Sequence, residues 1–180
     1  MSYYRAHHRE AVDDDSLEAL RDRCAAVLRD ALPAPARDLP LAEIRAALLA
    51  GLRFRAFPDA LPTVDALLAA GHQLAIVSNW DVSLHAVLRD TGLASRVSVV
   101  VTSAEEGVAK PDARIFERAL QLLGGISAVD ALHVGDDLHG DVSGALAAGL
   151  QAVWIDRTGG SAGQAPAGAR TVQSLLELVR

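Results

Sequence analysis

The feature that most constrains this 180-residue chain is a change of rhythm near Pro58. Beyond that point, short apolar runs alternate with helical stretches. Residues 73–78 (QLAIVS), 97–102 (VSVVVT), 131–135 (ALHVG) and 151–155 (QAVWI) have strand length and are largely apolar. Runs of this kind fit strands covered on both faces. Helical patterns fall at 59–70, 82–90, 112–123 and 139–148, the first ending at Gly71. Strands alternating with helices predict a parallel sheet with helices on both sides, because parallel neighbours need a crossover connection. Residues 158–169, rich in Gly, Ala and Ser, read as a surface loop before a last helix at 174–179.

The first part of the chain is different. Residues 1–57 show no strand pattern. Leu17, Leu20, Cys24, Val27, Leu28 and Leu32 share one helical face, and Asp15 with Glu18 reads as a capping box at that helix's start. The proline-rich stretch 33–40 breaks this helix, and a second follows at 41–52. The chain therefore divides into a helical region, 1–57, and an α/β region, 58–180.

Composition removes several function classes. Hydrophobic residues make up 51% and charged residues 22%, which suits a packed domain and not a disordered one. A net charge of -6 with no cluster of Lys and Arg argues against a nucleic-acid or anionic-membrane surface. No apolar stretch reaches spanning length, and the N-terminus, MSYYRAHHRE, lacks the apolar core of a secretory signal. The lone cysteine, Cys24, fits a small core hydrophobe in a reducing cytoplasm.

In open parallel sheets, ligands bind at the carboxyl ends of the strands. There the chain places Ser78 and Asn79, then Lys110 in GVAKPDARIF, then Asp136, Asp137 and Asp141. A hydroxyl, an ammonium and paired carboxylates suit a phosphate with a hard divalent cation such as Mg²⁺. Lys110 is the sole lysine among many arginines, as expected if a compact point charge is needed there. Other polar residues read as structural. His7 and His8 are expected to be exposed helix residues. His72, His85, His133 and His139 lack a partner at zinc-ligand spacing. Asp13 to Asp15 spell D-x-D, but no apolar strand precedes them, so they mark a helix start.

Three ordered segments resemble the haloacid-dehalogenase superfamily, over residues 56–156. IVSNWD, with Ser78 and Asn79, is similar to its second motif, GVAKPDARIF, with Lys110, to its third, and HVGDDLHGDVSGALAAG, with Asp136 and Asp141, to its fourth. The helical region resembles the small cap that many members insert after their first strand. The resemblance implies a Rossmann-like α/β core with flanking helices and hydrolysis of a small phosphate ester through an aspartyl-phosphate. In that scheme Ser78, Asn79 and Lys110 hold the transferring group and Asp136 and Asp141 hold Mg²⁺. The metal-binding form of the fourth motif favours phosphate chemistry over dehalogenation, although Trp80 beside Asn79 would also suit a halo-acid pocket.

The family's first motif is an apolar strand ending in D-x-D, whose first aspartate is the nucleophile. Nothing in this chain matches it. The resemblance places that strand mid-sheet, between those ending at Ser78 and Gly135, so two strand edges should stand unpaired. It implies either a truncated copy without turnover or a natural non-catalytic relative that binds phosphate or Mg²⁺. A phosphoacceptor receiver domain carries similar residues in another order, with its acidic pair first and its lysine last.

Overall fold

The computed structural model describes residues 2–160 and 165–179. Residues 161–164, inside the expected loop at 158–169, lie outside the described residues. Helices α1 (Ser2–His7), α2 (Asp14–Ala31) and α3 (Leu41–Gly51) form the N-terminal part. The rest runs α4 (Ala60–Ala69), β1 (Ala75–Ser78), α5 (Leu84–Asp90), β2 (Val99–Thr102), α6 (Ser103–Glu106), α7 (Ala113–Leu122), β3 (Leu132–Gly135), α8 (Gly144–Ala147), β4 (Gln151–Ile155) and β5 (Ala169–Val172). All strand pairings are parallel and helices flank them, the α/β class expected.

Among the described residues the strands form two sheets, not one. β1 pairs with β2, and β3–β4–β5 form the other. β1 and β3 are thus edges of separate sheets. One apolar cluster nevertheless spans both, with Val99 and Val101 of β2 meeting Ala152 and Trp154 of β4 through Ile115, Phe116 and Ala119 of α7. The strongly amphipathic α7 owes its position to this stripe at i, i+1 and i+4.

Several local details depart from the sequence expectations. The cap of α2 is Asp13, one side of a capping box with Ser16: Ser16 N donates to Asp13 Oδ1 at 2.8 Å and Asp13 N to Ser16 Oγ at 3.0 Å. Asp15 and Glu18 do not form it. The expected helix at 139–148 opens as a π-turn, Leu138–Ser143, and is α-helical only over Gly144–Ala147. The last helix is a short 3-10 turn, Leu175–Leu178, and β5 lies within the stretch expected to be loop. α4 ends as expected near Gly71, whose φ of 85° lets Gly71 N reach Leu68 O and His72 N reach Leu67 O. No described helix is long and apolar enough to cross a membrane.

The C-terminal turn is tied to α4 through Asp59, which is 8% exposed. Its Oδ2 accepts from Arg157 Nη1 at 2.9 Å, Ser174 Oγ at 2.8 Å and Leu175 N at 2.8 Å. The Arg157 guanidinium also lies 3.9 Å from the centre of the Phe57 ring. The hydrogen bond from Arg157, helped by Leu175 N–H and the Ser174 hydroxyl, outweighs burial and lowers the Asp59 carboxyl from 3.8 to about 2. A carboxyl whose pKa falls on folding stabilises the fold fully above its unfolded value, and that stabilisation disappears as pH drops through the folded one.

Asp59→Asn should therefore cost about 1–2 kcal/mol at pH 7 and flatten the stability loss of the wild type between about pH 4 and pH 2. Urea denaturation across that range checks both. An unchanged acid limb would show that Asp59 does not govern it.

Candidate active site

β1 ends at Ser78 with Asn79 next, β3 ends at Gly135 with Asp136 next, and the loop after α6 brings Lys110 between them. Asn79 fixes that loop: its Oδ1 accepts from Lys110 N at 2.7 Å and its Nδ2 donates to Lys110 O at 3.0 Å. The amide of Asn79 is thereby committed to backbone. From this anchored position the Lys110 ammonium donates to Val77 O at 2.9 Å and forms an ion pair with Asp141. Lys110 thus links the end of β1 to the turn after β3, across the division between the sheets.

Asp141, 5% exposed, is held from three sides. Its Oδ1 accepts from Lys110 and from His133 Nε2, the latter at 3.0 Å, and its Oδ2 accepts from Asp137 N at 3.0 Å. Burial would raise the Asp141 carboxyl. The His133 hydrogen bond, the Lys110 charge and hydrogen bond, and the Asp137 N–H reverse this and hold it well below the usual carboxylate range. Gly135 makes room for this arrangement, since a Cβ there would overlap the Asp141 side chain. His133 and Gly135, two apart on β3, share one face of the strand. The imidazole, set edge-on to Phe116 with ring centres 5.1 Å apart, therefore reaches Asp141 across the bare glycine.

Asp137 caps the following turn by accepting from Gly140 N. Asp136 is exposed, its main-chain oxygen accepts from Trp154 Nε1 at 3.0 Å, and its carboxylate has no hydrogen-bond partner among the described residues. The Ser78 hydroxyl likewise has none. Ser78, Asn79, Lys110, Asp136 and Asp141 all line one pocket of about 440 Å³. Its other wall comes from Tyr4 and Arg5 of α1 and from His8 just beyond.

That wall was not legible in the sequence. His8, expected to be exposed, is only 8% exposed, and its Nε2 meets Ser103 Oγ at 2.9 Å. Tyr4 OH donates to Asp81 Oδ2 at 2.9 Å, and Val82 N donates to Ala11 O at 3.2 Å. These bonds dock α1 and the residues just beyond it onto the loop after β1 and the start of α6. His133 also escaped notice, for want of a Cys or His partner. The available signal was its alternation with Gly135, which puts it on the side where Asp141 lies. Trp80 is turned away from the pocket: its Nε1 donates to Ser83 Oγ at 3.1 Å and its ring meets Phe54 edge-on at 5.1 Å.

An ammonium has three protons to donate, and Lys110 spends two within the protein. One remains for an oxygen in the pocket. A carboxylate offers about four lone-pair sites, of which Asp141 uses three. Its fourth, with the uncommitted Asp136, provides hard oxygen ligands for a cation that completes its shell with water or phosphate, so the two residues fit Mg²⁺. No group of three or more His, Cys, Asp or Glu side chains among the described residues makes a closed metal cage.

Gly135→Ala should displace Asp141 and break its bonds to Lys110 and His133, at a cost of about 2–3 kcal/mol. Chemical denaturation measures this. A loss under about 0.5 kcal/mol would mean that Asp141 moves aside freely.

Comparison with known proteins bears on the same elements. Residues 4–149 match the model of the haloacid dehalogenase-like hydrolases. The phosphoserine phosphatase of Thermus thermophilus is 38% identical over 106 residues, covering 58% of this chain and 42% of that protein. Haloacid dehalogenase-like hydrolase domain-containing protein 3 of Danio rerio is 36% identical over 104 residues, covering 58% and 43%. The chain thus matches less than half the length of these two relatives. In structure, a HAD phosphatase from Thermococcus onnurineus superposes with a TM-score of 0.65 at 26% identity, covering 98% of this chain and 87% of that one. The chain belongs to the haloacid dehalogenase-like hydrolase family.

Proposed function

We propose that the pocket binds the phosphoryl group of a small phosphate ester together with Mg²⁺, the binding half of a phosphatase site in a cytoplasmic protein. The observation that carries this reading is the Lys110 ammonium, fixed between Val77 O and Asp141 with one proton unspent. The phosphatase names of relatives point the same way. Ser78 and Lys110 donate to the phosphoryl oxygens, and Asn79 keeps Lys110 in place through its backbone. Asp136 and the remaining lone pair of Asp141 hold the cation. When bound, Mg²⁺ would neutralise charge on the phosphoryl oxygens as a Lewis acid. The helical region 1–57 acts as a cap over the 58–180 core, excluding water from the pocket through Tyr4, Arg5 and His8.

The covalent step requires a nucleophile, which the family resemblance assigns to an aspartate on a strand between β1 and β3. Among the described residues those strands pair with no such neighbour. The 180-residue chain alone is accordingly a binder with little turnover, lower by on the order of 10⁴–10⁶ than a protein with the nucleophile in place. Supplying that strand would complete the enzyme.

Calorimetric titration of the chain with inorganic phosphate in the presence of Mg²⁺ should give measurable binding. Lys110→Met should weaken it about 10- to 100-fold, with folding verified separately. Hydrolysis of p-nitrophenyl phosphate should stay near background. Robust turnover would overturn the assignment of the missing nucleophile, and no heat of binding would overturn the phosphate site.

A further inference from the structure

Three donors hold the Asp141 carboxylate, and they come from elements of unequal stiffness. Lys110 reaches it from the loop after α6, and the Asp137 N–H from the turn after β3. The third donor, His133, belongs to β3 itself, where the ladder to β4 sets it opposite Ala152. Its side chain is only 13% exposed, and its ring stands edge-on to Phe116 of α7, which is 1% exposed. A ring fixed by a strand ladder on one side and by a buried aromatic on the other has little freedom to turn.

The Asp141 carboxyl is ionised under these donors, so the proton shared with His133 sits on Nε2 and the ring donates. Lys110 and His133 together fill both lone pairs of Oδ1, and Asp137 N takes one of the two on Oδ2. The lone pair left for a cation is therefore on Oδ2. Glycine at 135 lets the carboxylate lie directly against β3, within reach of this ring. Without His133, Oδ1 keeps an open acceptor site, and the plane of the carboxylate is held only by groups carried on loops.

We propose that His133 is a positioning residue for the cation: its hydrogen bond to Oδ1 fixes the plane of the Asp141 carboxylate and reserves Oδ2 for Mg²⁺ beside Asp136. The inference rests on the cation site proposed above and adds the group that holds its geometry. His133 itself touches neither the cation nor the phosphate. Outer hydrogen bonds of this kind orient ligating side chains, and their loss weakens metal binding about 10- to 100-fold.

The test is calorimetric titration of the wild type, His133→Leu, His133→Phe and His133→Gln, first with Mg²⁺ alone and then with inorganic phosphate at high Mg²⁺. Urea denaturation establishes beforehand that each variant is folded. His133→Leu should weaken Mg²⁺ binding at least about tenfold and leave phosphate binding within about twofold, because Ser78 and Lys110 are untouched. His133→Phe keeps a ring against Phe116 but has no donor, so it should match His133→Leu and replaces it if that variant does not fold. His133→Gln, whose amide can donate to the same oxygen, should recover most of the Mg²⁺ affinity. Equal losses for Mg²⁺ and phosphate in the variants without a donor would show a general structural role and overturn the inference. Unchanged or tighter Mg²⁺ binding in them overturns it too, as does a His133→Gln variant no better than His133→Leu. A wild type that takes up phosphate but no Mg²⁺ overturns the cation site and this inference with it, leaving the phosphate site standing. Binding of neither overturns all three.

Discussion

The contact on which the rest of the structure depends is the Lys110 ammonium between the Val77 carbonyl and the Asp141 carboxylate. Among the described residues no ladder joins the two parallel sheets, and a largely buried charge spans the division. Such a charge is tolerable only when paired and hydrogen-bonded on several sides. Asn79 clamps the lysine backbone, His133 and the Asp137 amide complete the carboxylate, and Gly135 yields the space. Placing one ammonium so exactingly uses residues from three connections of the sheet. The groups that remain uncommitted, the Ser78 hydroxyl and the Asp136 carboxylate, sit at the rim of this network.

The same arrangement explains what could be read from the chain beforehand. Strands ending at Ser78, Thr102, Gly135 and Ile155 were legible because short apolar runs between helical stretches leave a strong trace. That Ser78, Asn79, Lys110, Asp136 and Asp141 line one pocket was legible because each follows the carboxyl end of a strand on the same edge. Their individual duties were not. Asn79 looked like a ligand-binding amide and instead holds main chain, a distinction set by loop geometry that spacing does not encode.

Other misreadings have equally local causes. β5, with exposed Arg170 and Thr171, lacks the apolar run of an inner strand and was hidden among glycines and alanines. The helix expected at 139–148 opens as a π-turn capped by Asp137, with the Asp141 side chain drawn back to Asp137 N, a local geometry that apolar periodicity does not encode. The capping pair of α2 shifted from Asp15 to Asp13 because three consecutive aspartates offer the same chemistry, and only the folded path of the chain selects one. His8 was assigned to solvent because a short polar helix gives no hint that another element will cover it.

The division of the sheet has a consequence for cooperativity. Sheets that share a backbone ladder must break several amide hydrogen bonds in concert to separate. Among the described residues β1–β2 and β3–β4–β5 share no ladder and meet through the packing of α7 and through Lys110. The smaller sheet can therefore part from the larger one as a unit of its own, with its local stability set by the packing of α7 and by the Lys110 bonds to Val77 O and Asp141. Amide protons of β1 then exchange by a lower-energy opening than those of β4, the central and most deeply buried strand. A segment that supplied hydrogen bonds to both inner edges would fuse the two units, converting a molecule with two thresholds of opening into one with a single threshold.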